Sequence, residues 1–476
     1  MTTSMQSILS DVKRSAAAEQ VVASVSEQGI ETIRVLFADQ HGILRGKTIV
    51  VEDIKAALDS GMRITSTLLL KDTSHTTVFP VWGDDAGFGK GKMIGASDLI
   101  MLPDPETFRV LPWTSDSASI LCDLFSQEGE AIPLSSRHIL KAAVNRLTEI
   151  DMAFICGLEV EFYVYRLEEH RLAHTDTGKP GSPPETSVLS QGYQYLTDQH
   201  FDQLVPVMEL IRRNARAMAL PIRTMESEFG PSQFEVTFQP MPALEAADNM
   251  CLFRNMVKQV CKREGYHATF MCRPNLENAM GNGWHLHQSV IGASGENLFT
   301  PASGQTLSET ASSWIAGLLE HAMASCLLTT PTVNGYKRYQ PFALAPDRVQ
   351  WGEDNRGAMI RALCRPDDPA SRVENRVGEP AANPYLYIAS QILSGLDGVK
   401  KGATAPQPTE TPYANEMQKL PESLITAVDR FSESKLYRQT LGDEFVDYLV
   451  AIKRAEWKRF MQTVSDWEHR EYFSLF

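Results

Sequence analysis

The sequence predicts an α+β protein with a small β-rich domain, followed by a larger domain in which helices alternate with strands. Three observations support this fold class. Residues 32–51 contain two runs rich in β-branched residues on either side of a turn at 40–42, which is typical of a β-hairpin. Near Pro133 turn-rich sequence gives way to longer helical patterns, and several later segments alternate polar with apolar residues as strands do. We therefore predict two domains, at residues 1–131 and 132–476.

Apolar residues spaced three and four apart, with capping residues such as Ser135, mark the helices, and alternation with a period of two marks the strands. The predicted helices cover residues 5–29, 135–150, 198–219, 243–265, 308–328, 384–396 and 423–461. The predicted strands cover residues 32–39, 43–51, 119–123, 157–166, a segment ending at Glu228, and residues 233–238, 267–273, 284–290 and 371–377. In the first helix the expected buried residues are Ile8, Val12, Val21, Val22 and Val25. Residues 168–186 and 402–411 are loops by composition.

The composition is that of an ordinary globular enzyme, with 476 residues, 43% hydrophobic residues and 22% charged residues. A net charge of -14 leaves no basic patch to neutralise phosphates, so a nucleic-acid partner is not expected. We also expect no membrane segment, because no run of 18 apolar residues occurs. The seven cysteines are scattered and form no Cys-x-x-Cys pair, which predicts reduced thiols in the cytoplasm and no zinc site.

Four predicted strands place polar side chains on one face and apolar side chains on the other, because neighbouring residues of a strand point in opposite directions. Their polar faces carry Glu159 and Glu161; Gln233, Glu235 and Thr237; His285, His287 and Ser289; and Arg372, Glu374 and Arg376. Each face alone also fits a solvated strand surface. Together they fit one concave site, in which carboxylates outnumber imidazoles and no thiol takes part. Such a donor set indicates Mg²⁺ or Mn²⁺.

A basic cluster follows in the sequence. It contains Lys337, Arg338, Arg356, Arg361, Arg372 and Arg376, interleaved with Trp351, Asn355 and Glu374. Any single arginine of this set also fits a solvated surface or a salt bridge. Five arginines in so short a stretch favour anion binding, and arginines beside hard divalent cations are typical of phosphoryl transfer.

These residues and their order resemble the glutamine synthetase family over nearly the whole chain. The motifs are Phe37-Ala-Asp-Gln-His-Gly-Ile-Leu-Arg-Gly-Lys, Pro103-Asp-Pro-Glu-Thr-Phe-Arg, Gly157-Leu-Glu-Val-Glu-Phe, Glu228-Phe-Gly-Pro-Ser-Gln-Phe-Glu, Gly283-Trp-His-Leu-His-Gln-Ser, Asn334-Gly-Tyr-Lys-Arg, Asn355-Arg, Glu374-Asn-Arg and Pro380-Ala-Ala-Asn-Pro-Tyr. The resemblance implies a small N-terminal β-grasp domain and a catalytic domain of curved antiparallel strands surrounded by helices. It also implies a homododecamer of two stacked hexameric rings, with active sites between subunits.

The resemblance implies a two-step reaction, in which the γ-carboxylate of L-glutamate takes the γ-phosphate of ATP and an amine then displaces phosphate. Carried over by position, one metal is held by Glu161, Glu228 and Glu235, and the metal on the nucleotide phosphates by Glu159, His285 and Glu374. On the same basis, His287, Ser289 and Arg372 lie on the ATP side, Arg338, Arg376 and the backbone of Gly281 hold glutamate, and Arg356 and Arg361 meet the transferred phosphoryl group. Glu226 competes with Glu228, but a spacing of seven residues to Glu235 favours Glu228.

The sequence departs from the family pattern at the groups that bind ammonium. In ammonia-using members the loop after the Arg338 position carries a glutamate, and Leu344 stands at the aligned position here. Those members also supply an aspartate from the N-terminal domain of a neighbouring subunit. Here the corresponding stretch, residues 63–70, contains no acid, and the next acid in the sequence is Asp72. Ammonium needs negative charge to bind and a base to become a nucleophile, so these losses argue against ammonia. Met280, where asparagine is frequent in ammonia-using members, points the same way.

The departure resembles the γ-glutamyl-amine ligases of the family. An aniline-like amine is neutral near pH 7 and gains from an apolar pocket, whereas a polyamine needs acidic groups. We therefore predict an apolar aromatic or small alkyl amine. Three alternatives stay open at this point: a polyamine substrate, ammonia with Asp72 or Glu353 as the acid, and a catalytically silent ring-forming homologue.

Overall fold

The computed structural model describes residues 4–83, 93–169, 171–341, 344–414 and 416–476. Two predicted loops are affected by the gaps. His170 of the loop at 168–186, and Phe342 and Ala343 of the loop that follows Arg338, lie outside the described residues.

The chain forms a mixed α+β structure, as the sequence predicts. Its helices are α1 (Met5–Leu9), α2 (Val12–Glu27), α3 (Ile54–Ser60), α4 (Ser136–Thr148), α5 (Asp198–Ala217), α6 (Ala243–Arg263), α7 (Glu309–Glu320), α8 (Ala322–Thr329), α9 (Pro384–Lys401), α10 (Leu424–Ser432), α11 (Lys435–Leu441), α12 (Asp443–Met461) and α13 (Asp466–Tyr472). Its strands are β1 (Thr32–Ala38), β2 (Leu44–Val50), β3 (Met62–Thr65), β4 (Asp98–Pro103), β5 (Arg109–Val110), β6 (Ser117–Phe125), β7 (Ala153–Leu167), β8 (Thr186–Ser187), β9 (Ile222–Ser227), β10 (Gln233–Phe238), β11 (Met241–Pro242), β12 (Tyr266–Thr269), β13 (Trp284–Ile291), β14 (Trp351–Glu353), β15 (Ile360–Leu363) and β16 (Arg372–Asn375).

The N-terminal sheet has the order β2-β1-β6-β4-β3, with β5 paired to β6. The predicted hairpin is confirmed, since β1 and β2 pair antiparallel from Thr32 opposite Val50 to Ala38 opposite Leu44. Strand β6 lies parallel to β1 on its other edge. Alternate residues of β1 are buried, so one face of this sheet packs against the core.

The larger sheet has the order β14-β15-β16-β13-β7-β10-β9, and it is antiparallel except for the pair β14 and β15. Strand β7 lies at its centre and also pairs with β8, β11 and β12. Its apolar side chains, among them Val160, Phe162 and Val164, are fully buried. Their burial fixes the register and turns the polar side chains of β7 to the opposite face.

The first predicted helix is divided in two. The Asp11 carboxylate accepts hydrogen bonds from the backbone N–H groups of Lys13 and Arg14, so α2 begins anew at Val12. Val21 and Val25 are buried as expected. The prediction that Val12 and Val22 are buried is wrong, because the second helix has its own phase and leaves them 83% and 37% exposed. Ile8 is half-buried.

Other boundaries differ in the same way. The helix predicted at 308–328 is the pair α7 and α8, and the one at 423–461 is α10, α11 and α12. Ser135 does occupy the N-cap position of α4, although its hydroxyl makes no capping hydrogen bond. Within the described residues, no helix combines the length and the apolar character needed to cross a membrane.

Candidate active site

The polar face of β7 is the floor of the site, and the neighbouring strands complete it through their register. On one side β10 places Glu235 directly opposite Glu161. On the other side β13 places His285 directly opposite Glu159. Directly opposed side chains in antiparallel strands lie close together, so the sheet brings three carboxylates and one imidazole into contact range.

Two candidate metal-binding groups share one histidine. The first contains Glu159, His285 and Glu374, and the second contains Glu161, Glu235 and His285; in each, one ligand atom per residue lies within 4.8 Å of the others. His285 Nδ1 is 2.6 Å from Glu159 Oε1 and 3.7 Å from Glu374 Oε1. The structure thus brings together five of the six residues predicted as metal ligands.

The carboxylate of Glu161 is held from two directions. The backbone N–H of Gly283 donates to its Oε2 at 2.9 Å, and the amide of Gln233 donates to the same oxygen at 3.2 Å. A Cβ at position 283 would lie 2.6 Å from Arg338 Nη2 and from His285 Nε2, so any larger residue would displace these two side chains. Gln233 also donates to the Asn282 side chain at 2.8 Å, which fixes the orientation of its amide.

Glu228 and Glu226, the alternative candidate for the same metal ligand, lie at the edge of the acidic face. In the described part of the chain Glu228 is outside both groups, and its Oε2 accepts a hydrogen bond from the Phe229 backbone at 3.2 Å. Glu226 pairs in register with Glu235, but it is only half-buried and accepts from the Thr224 hydroxyl at 3.1 Å. The assignment of Glu228 over Glu226 stays a prediction.

Burial and mutual repulsion shift the carboxyl groups in opposite directions. Burial, reinforced by repulsion from Glu159 and Glu161, raises the pKa of Glu235 to about 11. Burial and the charge of Glu161 raise the pKa of Glu228 to about 8. Burial also acts on Glu159, but hydrogen bonds from His285 and His287 outweigh it and hold its pKa far below the ordinary value. Buried carboxylates that repel one another fit a hard divalent cation, whose charge would offset the repulsion.

Two arginines fix the proton positions of the two histidines. Arg338 donates to His285 Nε2 at 3.1 Å, and Arg372 donates to His287 Nδ1 at 3.2 Å. The remaining ring nitrogens therefore donate to Glu159, at 2.6 Å from His285 Nδ1 and at 3.0 Å from His287 Nε2. This arrangement stabilises the ionised carboxylate of Glu159 by two hydrogen bonds.

Two further arginines meet Glu374, which is completely buried. Arg376 forms an ion pair with its Oε1, and Arg361 donates to its Oε2 at 3.1 Å. Arg361 also pairs with Asp354 at 2.5 Å. Two arginines of the basic cluster therefore form ion pairs within the protein, while anion binding by the cluster stays a prediction.

The remaining predicted residues lie around this centre. A Cβ at Gly281 would lie 3.1 Å from Arg338 Cγ, and Ser289 is half-buried two residues beyond His287 on β13. The Arg356 side chain is exposed, while its carbonyl accepts from Arg376 Nε at 2.9 Å. Leu344 is 50% exposed, and its carbonyl accepts from Arg376 Nη2 at 3.4 Å.

Sequence reasoning missed two residues that hold the site. Asn282 orients Gln233 and lies between two glycines of the site, a local signal that could have been used. Asp354, the residue after β14, pairs with Arg361 of the neighbouring strand β15, and no sequence pattern links the two positions.

The chain is similar to several known proteins. The family model described as glutamine synthetase, catalytic domain, matches residues 133–472. The chain is 40% identical to gamma-glutamylanilide synthase of Acinetobacter sp over 97% of both proteins. It is 30% identical to glutamate–isopropylamine ligase of Pseudomonas sp over 95% of this chain and 96% of that protein. A solved structure of GmaS without ligand superposes with a TM-score of 0.79 at 27% identity, covering 95% of this chain and 99% of that one.

The fold and the acidic face flanked by arginines define an enzyme of the ATP-dependent carbon–nitrogen ligase class. The chain belongs to the glutamine synthetase family, which confirms the resemblance stated from the sequence.

Proposed function

We propose that this enzyme joins the γ-carboxylate of L-glutamate to an apolar aromatic or small alkyl amine, with ATP as co-substrate. A γ-carboxylate oxygen attacks the γ-phosphorus of ATP, and the bond to the ADP oxygen breaks to give γ-glutamyl phosphate. The amine nitrogen then attacks the γ-carbonyl carbon. The carbon–nitrogen bond forms, the bond to the phosphate oxygen breaks, phosphate leaves with the electron pair, and the nitrogen loses one proton.

We assign the acidic face to two or more divalent cations, Mg²⁺ or Mn²⁺. The residues that would hold them are Glu159, Glu161, Glu228, Glu235, His285 and Glu374. When bound, such cations supply positive charge that polarises phosphate and carboxylate oxygens. The carboxylates come from the central strand and its neighbours, so the sheet itself sets their spacing before any ligand enters.

The arginines are assigned to the substrates. Arg338 and Arg376, beside Gly281, bind the carboxylates of glutamate, while Arg356 and Arg361 neutralise the phosphoryl group during transfer. Along the same face His287, Ser289 and Arg372 receive ATP. Arg376 already contacts both Glu374 and the carbonyl of Leu344, so it links the metal-binding groups to the loop that would cover the amine.

Leu344 is the observation that carries the choice of amine. Its side chain is half-exposed, and its carbonyl is tied to Arg376, so an apolar group lies beside the glutamate-binding arginines. An apolar side chain there neither attracts a cation nor takes its proton. A neutral arylamine needs no negative charge to bind and no base before it attacks, and it gains from apolar contact. The gamma-glutamylanilide synthase of Acinetobacter sp, 40% identical to this chain, supports the choice.

The test is phosphate release from ATP with glutamate and Mg²⁺ or Mn²⁺, measured with aniline, isopropylamine, methylamine, putrescine, spermine or ammonium chloride. We expect turnover with aniline or the small alkylamines. Turnover confined to putrescine, spermine or ammonium would refute the choice of amine. A chain that turns over ATP with none of the amines would be a catalytically silent homologue, and the whole proposal would fail.

We further propose a cytoplasmic homo-oligomer, a dodecamer of two stacked hexameric rings with active sites between subunits. The C-terminal tail supports the oligomer. Phe473, Leu475 and Phe476 are 74%, 69% and 97% exposed, and the aromatic rings of the tail contact one another. Apolar groups so exposed at one end of a chain are typical of a surface that another subunit covers. All seven cysteines are free thiols, which fits a reducing compartment.

A further inference from the structure

Two aromatic rings, stacked one on the other, form a wall at the edge of the acidic face. Tyr195 and Phe229 are stacked with their centroids 4.3 Å apart and their planes 7° from parallel. Stacking would normally accompany burial, yet the two residues keep 41% and 36% of their surface exposed. A partly exposed stack of parallel rings can be extended by the ring of a flat apolar ligand.

The wall is fixed next to Glu228. Phe229 directly follows Glu228 and donates its backbone N–H to that carboxylate at 3.2 Å. The segment that carries Tyr195 is tied to the same strand end at two points. Tyr193 N–H donates to the Phe229 carbonyl at 2.7 Å, and Leu196 N–H donates to the Ser227 carbonyl at 3.4 Å.

A glycine permits this close approach. A Cβ at Gly192 would lie 2.6 Å from the carbonyl carbon of Gly230, and its φ of +71° is a conformation that favours glycine. The electrostatics agree with the position. Burial, followed by the charges of Glu228 and Glu235, raises the pKa of the Tyr195 hydroxyl, which places that ring within the field of the acidic face.

We propose that Tyr195 and Phe229 form the wall of the amine pocket, against which the ring of an arylamine stacks. This inference rests on the proposed function. The amine nitrogen must reach a γ-carbonyl carbon bound at the acidic face, so the rest of the amine has to extend outward over its edge. At the Glu228 edge that outward surface is the aromatic pair.

The shape and chemistry of the wall favour an arylamine over a polyamine. The two rings are parallel and stacked face to face, so the outer face of the stack offers a flat apolar surface on which a third ring can stack. A flexible polyamine would use its ammonium groups instead, and would have to order several rotatable bonds against this wall. The wall therefore selects by the flat shape of the amine, in addition to the absence of an acid at Leu344.

The experiment compares an amine that reaches the wall with one that does not. Hydroxylamine is a small neutral nucleophile that accepts the γ-glutamyl group without a ring. In the Tyr195→Ala/Phe229→Ala double variant we expect the KM for aniline to rise about tenfold, because one stacking interaction and its apolar contact are lost. The KM for hydroxylamine and both kcat values should stay near those of the wild type. Val188→Ala, which shortens another exposed side chain of the same loop region, is the matched control.

Conservative variants separate stacking from local folding. Tyr195→Phe keeps the ring and should keep the wild-type KM for aniline. Tyr195→Leu keeps an apolar side chain without the ring and should raise that KM, and it decides the question if the double variant does not fold. The inference would be overturned if the variants kept the wild-type KM for aniline. It would also be overturned if the KM values for aniline and hydroxylamine rose by the same factor.

The two proposals fail differently. If the wild-type enzyme releases phosphate with aniline but the variants keep its KM, the wall is wrong and the proposed function stands. If the wild type uses only ammonium or polyamines, the proposed choice of amine fails and the wall fails with it.

Discussion

Arg459 Nε lies 3.0 Å from Asp72 Oδ2, although 387 positions separate the two residues in the sequence. The other carboxylate oxygen, Oδ1, accepts backbone N–H bonds from Ser74 and Thr76 at 2.9 Å each. Asp72 is almost fully buried, and its ion pair with Arg459 joins helix α12 to the N-terminal part of the chain. This carboxylate is engaged in structural contacts, which weakens the alternative that Asp72 provides the negative charge for ammonium.

We therefore expect Asp72→Asn to change stability and leave the choice of amine unchanged. The asparagine oxygen can keep the two backbone hydrogen bonds, while the charge attraction to the half-exposed Arg459 is lost. The free energy of unfolding should fall by about 1 kcal/mol. Thermal unfolding and the amine panel measure the two effects. Asp59→Asn, which breaks an exposed pair with Lys55, should change neither. If the wild type turns over ATP with ammonium and Asp72→Asn loses that activity, the structural role of Asp72 would be contradicted.

Leu344→Glu should introduce ammonium-dependent phosphate release. The substitution places a carboxylate beside Arg376, one of the arginines proposed to bind glutamate, where it can attract ammonium and accept its proton. The catalytic efficiency with aniline should fall, because a charge replaces apolar contact. Kinetics with ammonium chloride and with aniline measure both changes.

Leu344→Gln is the control for this experiment, since it has the size of glutamate without its charge. It should lower the efficiency with aniline but should not support ammonium use. If Leu344→Glu leaves the selectivity unchanged, position 344 does not govern the choice of amine.

Metal binding should release protons and strengthen as pH rises. Near neutral pH, Glu235 of the metal-free protein is protonated, because its pKa is about 11. Glu228, whose pKa is about 8, is protonated in most molecules. A cation has to displace these protons, so the apparent affinity should rise up to about tenfold for each pH unit and for each proton released, until Glu228 is ionised. Calorimetric titration with Mn²⁺ in two buffers of different ionisation enthalpy measures the protons released.

Variants of the acidic face distinguish the ligands. Glu235→Gln and Glu228→Gln should weaken Mn²⁺ binding and reduce proton release, whereas Glu226→Gln, the neighbouring carboxylate on β9, should leave both nearly unchanged. If Glu226→Gln has the larger effect, the spacing argument for Glu228 is wrong.

The strands of the site could be predicted because their signal is local. A period of two in residues 157–166 is enough to place Glu159 and Glu161 on one face, and the structure has them there. The register between strands depends on which apolar side chains meet in the core. No single strand therefore indicates that Glu161 faces Glu235 or that His285 faces Glu159.

The remaining differences have similar causes. A single continuous helix would bury Val12, but the Asp11 side chain binds the backbone N–H groups that follow it and starts a new helix, which leaves Val12 exposed. The aromatic pair was missed because Tyr195 lies in an irregular segment without a period. Its partner Phe229 is brought to it by hydrogen bonds between separate segments, which the sequence of neither segment reveals.

Glu379 should make the protein less stable as pH rises above the acidic range. Complete burial raises its pKa from 4.5 to about 7, against the effect of hydrogen bonds from the Thr332 hydroxyl and backbone. The folded chain keeps this proton up to about pH 7, while the unfolded chain releases it near 4.5. The folded state therefore binds more protons in this window, and the free energy of unfolding should fall across it by about 3 kcal/mol.

Glu379→Gln removes this titration and should flatten the pH dependence. Thermal midpoints of the variant and the wild type, recorded without metal at equal protein concentration between about pH 5 and pH 8, give the comparison. The variant should gain stability relative to the wild type as pH rises. Glu149→Gln at an exposed position is the control and should run parallel to the wild type. A Glu379→Gln curve parallel to the wild type would show that Glu379 is not the titrating group.

Removing residues 462–476 should prevent assembly without unfolding the chain. The deleted segment contains α13 and the exposed apolar residues of the tail, and none of its residues is buried in the single chain. Its loss should therefore leave the core intact while removing the surface that we propose another subunit covers. Light scattering after size exclusion should show a smaller species, and activity should fall because the proposed active sites lie between subunits. Val12→Ser, at another exposed apolar position, should keep the full assembly. A truncated chain with the mass of the wild-type assembly would mean that other surfaces hold the subunits together.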